Sequence, residues 1–239
     1  MQQRYADYTS GDQSTWALLY QRQTAALRDR AHPSYFMGLD AFGFGDRIPE
    51  LARLNRTLRA QTGWEIEAVD GQVSGEVFCG LLRERKLPST TYVRSQAELA
   101  HSKEPDMFHD VFGHVPLLIE PDYRAFMVTF AETSLAMLDD QVSFDRLGRA
   151  FKWTIEYGLI ELNGGVRAYG AGLMSSSGEL DHALSANVPK LAFDPCAAVD
   201  TPHVRASLQA QYFVIDGFAQ LGGALDAMVR HARTPVAAG

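Results

Sequence analysis

Along most of this chain, apolar residues recur at the three- and four-residue spacing of helices with one buried face. "TSGDQSTWALLYQRQTAALRDR" opens on capping residues and keeps Trp16, Leu19, Ala26 and Leu27 largely at that spacing. "IPELARLNRTLRAQTG" begins with a proline suited to a first helical turn and ends on Gly63, a natural C-cap. "WEIEAV" alternates like a short strand before the turn residues "DG". "SGEVFCGLLRERK" reads as a short helix and "STTYVR" as a strand. The strongest helical patterns are "PDYRAFMVTFAETSLAMLDD" and "FDRLGRAFKWTIEYGLIEL". Beyond Gly164 the chain turns Gly- and Ser-rich around an extended "VRAYGAG", and "VIDGFAQLGGALDAMVRHAR" supplies a last helix. The pattern predicts a mainly α fold with a few short strands. It holds no internal repeat or linker, so residues 1–239 are read as a single domain.

Composition narrows the partners more than the fold. Hydrophobic residues make up 46% and charged residues 21%, ordinary for a folded chain. The 29 acidic and 22 basic residues leave a net charge of −7, which argues against nucleic acid or an anionic membrane as partner. Cys79 and Cys196 stand in no paired spacing, which suits a reducing cytoplasm. There is no apolar run of spanning length, and "MQQRYADYTSGD" has no signal-peptide core. The expectation is a cytoplasmic protein acting on a small molecule.

Candidate chemistry starts at "EPDMFHDVFGHVPLL", residues 104–118. His109 and His114 are five residues apart, which on an α-helix would point them about 140° from each other. Gly113 between them offers a left-handed helix end, and Pro116 keeps the helix from resuming. On that reading His114 turns back toward His109 and the two rings share a metal; two polar residues beside a helix end would have the same spacing. The spacing and neighbours are not those of HExxH, and there is no cysteine cluster for a structural zinc site. The remaining common arrangement is two histidines and one carboxylate around non-haem Fe(II). Glu156, inside the apolar run "AFKWTIEYGLIEL", is the favoured carboxylate because burying it demands compensation. An exposed i, i+4 pair with Lys152 explains the same residue equally well.

"EPDMFHDVFGHVPLL", "FKWTIEYGLI" and "RAYGAGLMSSSGE", in this order, resemble the pterin-dependent aromatic amino acid hydroxylases, especially the short bacterial members that act on phenylalanine. The likeness spans nearly the whole chain. It implies a single catalytic domain of that family's type, without a regulatory domain or tetramerisation helix, and hence a monomer. It also implies a reaction: hydroxylation of an aromatic amino acid ring with Fe(II), O2 and a tetrahydropterin. One oxygen atom enters the ring and the other leaves on the pterin. His109, His114 and Glu156 fall on the family's iron ligands. Arg94 falls on the arginine that binds the substrate carboxylate, Asp106 on the acid that orients it, and Ser175 on a substrate-side serine. Gly71 and Val73 fall in the loop that approaches the pterin, Phe78 on the ring stacked against it, and Asp110 on an acid beside it. A bidentate guanidinium suits an amino acid's carboxylate.

The chain departs from the family around the substrate. Where members read "YWFTVEFGL" or "YWMTIEFGL", this one reads "FKWTIEYGL". Lys152 takes the place of the pocket tryptophan and Trp153 stands one position later, rotated by about 100° on a helix. His101 occupies a position usually held by tyrosine. These three residues are counted with the substrate wall, and they leave tryptophan as substrate, or attack at the meta position, as alternatives to phenylalanine. Two rival classes are weaker. The 2-oxoglutarate oxygenases place the acid two residues after the first histidine, whereas Asp110 is adjacent to His109. A catalytically inactive relic would not be expected to keep the three ligands, Arg94 and Phe78 together.

Overall fold

The computed structural model describes residues 1–99, 105–204 and 207–235. Helix α1 (Ser10–Leu27) is started by a capping box, in which Asp12 N–H donates to Thr9 Oγ1 (3.1 Å) and Thr9 N–H to Asp12 Oδ2 (2.8 Å). Helix α2 spans Pro33–Phe42 and α3 spans Leu51–Thr62, the latter ended by Gly63 at φ 74° as expected. Pro49 lies just ahead of that helix's cap rather than in its first turn. A β-α-β unit follows: β1 (Glu65–Ala68), α4 (Gly75–Arg83) and β2 (Lys86–Ser89), with β1 and β2 parallel.

The second half is built on α5 (Pro121–Leu135), α6 (Gln141–Phe151), α7 (Ala171–Met174), α8 (Ser177–Leu184), α9 (Pro195–Asp200) and α10 (Ala219–Ala232). A small mixed sheet runs in the order β4-β3-β6-β5, from Gly165–Ala168, Leu159–Leu162, Tyr212–Ile215 and Lys190–Ala192. One continuous apolar cluster reaches from Trp16 in α1 to Ala232 in α10. Helices dominate and strands are few and short, as the periodicity predicts.

Two local expectations fail for identifiable reasons. "STTYVR" is not a strand; β2 ends at Ser89. Beyond it, side-chain carboxylates take the donors a ladder would use: Thr90 N–H bonds Asp110 Oδ2 (2.8 Å) and Arg94 N–H bonds Asp106 Oδ2 (2.8 Å). The helix over "FDRLGRAFKWTIEYGLIEL" stops at Glu156, and its last residues form β3. Asn163 and Gly164, both at positive φ, make the tight turn joining β3 to antiparallel β4. Asn-Gly between apolar runs is the sequence sign of such a hairpin.

Candidate active site

Both histidines lie on a helical turn that is wider than an α-helix. Phe108–Gly113 is a π-helical turn, leading through His114 (φ −92°, ψ −43°) into a 3-10 turn, Val115–Ile119, that holds Pro116. In a π-turn, N–H groups reach back five residues, so residues five apart lie nearly above one another. This winding brings His109 and His114 together, with ring centroids 5.2 Å apart and planes at 87°. The expected left-handed helix end at Gly113 is absent. Glycine is needed there for closeness: a β-carbon would lie 2.8 Å from the carbonyl oxygen of Ala171.

Glu156 ends a second π-turn, Lys152–Glu156, marked by the bond from Tyr157 N–H to the Lys152 carbonyl (3.0 Å). The chain then doubles back through the β3–β4 hairpin, and Gly170 packs against Glu156, where a β-carbon would sit 2.4 Å from its carbonyl oxygen. Residues 170–175 are thus wedged between the two turns. From behind, Tyr35 of α2 donates its hydroxyl to the Phe112 carbonyl (2.6 Å), and Phe108 packs edge-on against Trp16 of α1 (5.2 Å).

His109 Nε2 lies 3.4 Å from Glu156 Oε2, and His114 Nε2 lies 3.5 Å from Glu156 Oε1. Among the described residues, this is the cluster that can offer three ligand atoms to one metal ion. His109 Nδ1 is 2.9 Å from Ser175 Oγ, and that hydroxyl donates its one proton to the Ala171 carbonyl (2.9 Å). Ser175 therefore accepts from Nδ1–H, which leaves Nε2 as a bare lone pair aimed at a carboxylate oxygen. Two acceptors facing each other in a buried site call for a cation between them. His114 Nδ1 is buried without a partner among the described residues.

The electrostatics agree. Burial pulls the His109 imidazole down to about 4; His114 and Lys152 add to this and Glu156 opposes it, so the ring is neutral near pH 7. Burial on its own would raise the Glu156 carboxyl, but Lys152, His114 and His109 outweigh it and hold the group well below the usual carboxylate range. Two imidazoles and an ionised carboxylate form the donor set that binds divalent iron with open positions left over. The pairing with Lys152 is present, with Nζ 3.3 Å from Oε1, but Glu156 is buried and is not the exposed partner that the alternative reading supposed.

A cavity of about 300 Å³ opens on this cluster. Its lining includes His109, Asp110, His114, Lys152 and Glu156, together with Gly71, Val73 and Phe78. Phe78 stands edge-on to Phe151 (5.4 Å, 85°). Asp110 Oδ2 accepts from both the N–H (2.8 Å) and hydroxyl (3.1 Å) of Thr90. Burial raises this carboxyl to about 7 against the lowering by Thr90. Thr90 escaped the sequence reading because a threonine in an apparent strand carries no signal of its own.

Arg94 and Asp106 form a buried pair: Arg94 Nε donates to Oδ2 (3.0 Å) and Nη2 to Oδ1 (2.6 Å). The same carboxylate accepts from His109 N–H (3.1 Å), tying the arginine to the turn that carries His109. Arg94 also lies over the Phe108 ring, 5.7 Å from its centroid. Asp106 occupies the Nε side of the guanidinium, and among the described residues Nη1 has no hydrogen-bond partner; neither Arg94 nor Asp106 is part of the cavity lining. Ser175 meets His109 and is absent from the cavity lining. Trp153 is a correction. It is buried against Phe213 (5.6 Å) with Nε1 donating to the Thr201 carbonyl (2.8 Å), so helix rotation turns it into the core and away from the cavity. His101 lies outside the described residues.

Comparison with known proteins agrees with this geometry. The family model for biopterin-dependent aromatic amino acid hydroxylases matches residues 2–237. Phenylalanine-4-hydroxylase of Ralstonia nicotianae is 41% identical over 225 residues, covering 92% of this chain and 71% of that protein. A crystal structure of phenylalanine hydroxylase from Chromobacterium violaceum with iron(III) and oxidised cofactor 7,8-dihydrobiopterin superposes with a TM-score of 0.91 at 37% identity, covering 97% of this chain and 84% of that one. The iron- and phenylalanine-bound structure of the same enzyme gives 0.90 at 35%, covering 98% and 87%. The chain belongs to the biopterin-dependent aromatic amino acid hydroxylases.

Proposed function

We propose that this protein is a monooxygenase that uses iron(II), a tetrahydropterin and O2 to hydroxylate the ring of L-phenylalanine, giving tyrosine. The observation that carries this reading is the pair of facing acceptors, His109 Nε2 and Glu156 Oε2, 3.4 Å apart beside His114. His109, His114 and Glu156 would hold the metal. Iron bound there, with the tetrahydropterin as two-electron donor, supplies oxygen activation: one atom of O2 goes to the ring and the other to the pterin.

The protein's own residues bind and orient. The donors that Asp106 leaves on Arg94 suit the carboxylate of an amino acid, and the rigid Arg94–Asp106 pair sets its direction. Phe78 offers a ring face to the pterin, with Gly71 and Val73 in the adjoining loop, and Asp110 offers a carboxyl to its donor groups. Phe130, Phe144 and Phe151 give the cavity an apolar wall that keeps water from the reacting ring. Lys152 on that wall, where the family carries an aromatic side chain, favours a second reading: the same chemistry on L-tryptophan or at the meta position of phenylalanine.

The unit we propose is one catalytic domain over residues 1–239 acting as a monomer in the cytoplasm. The continuous core and the two cysteines, both thiols, support this. Among the described residues no helix is long and apolar enough to cross a membrane. Incubation with iron(II), tetrahydropterin, O2 and each aromatic amino acid, with products resolved by hydroxyl position, tests the function. Tyrosine from phenylalanine is expected, together with loss of at least about a hundredfold in Glu156→Gln. Absence of pterin oxidation with every substrate would overturn the reading.

A further inference from the structure

The Lys152 ammonium lies 3.3 Å from Glu156 Oε1, while Glu156 Oε2 faces His109 Nε2, the atom whose lone pair is bare. Oε1 also lies 3.5 Å from His114 Nε2, so the Lys152 ammonium and a metal held by the two histidines compete for this one oxygen. We propose that Lys152 is a positioning residue for the metal-binding carboxylate: it keeps hold of Oε1, so that Glu156 gives the metal one oxygen instead of two. This rests on the iron-site reading above and goes beyond it.

A carboxylate has lone pairs on both oxygens and can chelate a metal with the pair when both are free to turn toward it. Here Lys152 and Glu156 are four residues apart at the two ends of one π-turn, so the ammonium reaches the carboxylate without crossing the cavity. Glu156 is only 9% exposed, and a charge-assisted bond to a buried carboxylate is stronger than a surface pair. Lys152 itself is 36% exposed, so its charge is partly screened and its replacement leaves the core intact. Two consequences follow. One coordination position that the second oxygen would fill stays open to water or a reactant. A fixed positive charge beside a dication also weakens metal binding.

Manganese(II) tests both, with free ion counted by electron paramagnetic resonance and exchangeable bound water by proton relaxation. Lys152→Met should bind manganese(II) about tenfold more tightly than the unaltered protein and with less relaxation enhancement. Lys152→Arg, which keeps the charge and a donor, should stay within about twofold of it. Equal or weaker binding by Lys152→Met, with unchanged relaxation and thermal midpoint, would overturn the proposal and leave the iron site standing. If the unaltered protein and Glu156→Gln bind manganese(II) alike, the iron-site reading fails and this inference with it. Lys152→Gln provides a second uncharged variant should the methionine variant not fold, and the same two readouts decide.

Discussion

The Ser175 hydroxyl stands between His109 Nδ1 and the Ala171 carbonyl, 2.9 Å from each, and so sets which nitrogen of His109 carries the proton. Ligand histidines are commonly held in this way through their second nitrogen. Ser175→Ala removes the acceptor and lets the ring turn or change tautomer. Metal affinity should fall by roughly ten- to a hundredfold, measured by cobalt(II) titration. The thermal midpoint should move little, since one buried hydroxyl is lost with its partner's alternatives open.

Gly113 carries a packing role that a substitution exposes directly. A methyl group at this position would meet the Ala171 carbonyl oxygen at 2.8 Å, a backbone atom that has no rotamer to retreat to. Gly113→Ala should cost about 1–3 kcal/mol of stability, read from denaturant unfolding. It should also weaken metal binding, because the clash falls between His114 and the segment that holds Ser175. A variant with unchanged stability would show that the two backbones have room to part.

Arg94 engages Asp106 with two parallel bonds, and its Nη1 has no partner among the described residues. Lysine provides a charge but not the fork. Arg94→Lys should raise KM for phenylalanine by about tenfold or more while the metal affinity of the triad is retained. Steady-state kinetics alongside a cobalt(II) titration separates the two effects.

Lys152→Trp restores to the cavity wall the residue type the family carries there. The hydroxylated products from phenylalanine, tyrosine and tryptophan should shift in proportion or ring position. Chromatographic comparison with authentic hydroxylated amino acids reads this out. Identical products and rates from all three substrates would show that Lys152 has no part in substrate choice.

Cys79 lies in the cavity wall, and burial pushes its thiol up to about 11 against a smaller lowering by Ser134. At pH 8 about one in a thousand such groups is a thiolate, the form that reacts. A disulfide reagent should therefore modify the half-buried Cys196 first in the native protein. Modification of Cys79 should rise about tenfold per pH unit up to its ionisation, or appear at once on unfolding.

Much of this architecture was legible in local pattern. The helices at Ser10–Leu27, Leu51–Thr62 and Pro121–Leu135 follow from apolar spacing, and the caps at Thr9 and Gly63 from residue type. The hairpin at Asn163–Gly164 carries its Asn-Gly signal inside a long apolar run, whose helical spacing masks β3. Arg94 had no such signal. A lone arginine reads as a surface charge, and its burial depends on Asp106, twelve residues away, reaching back to meet it.

The chain's own order of residues settles that it is mainly helical, which residue types are available for a metal, and that histidines five apart need something other than an α-helix to meet. Those properties are local, since they depend on side-chain spacing and backbone preference. The winding of the two π-turns, the tautomer of His109, the rotation of Trp153 into the core and the sharing of Glu156 among His109, His114 and Lys152 are not local. Each depends on groups distant in sequence packed at van der Waals distance, above all residues 170–175 wedged between the two turns. Close packing allows few arrangements of such a wedge, and that restriction brings two histidines five residues apart against one carboxylate.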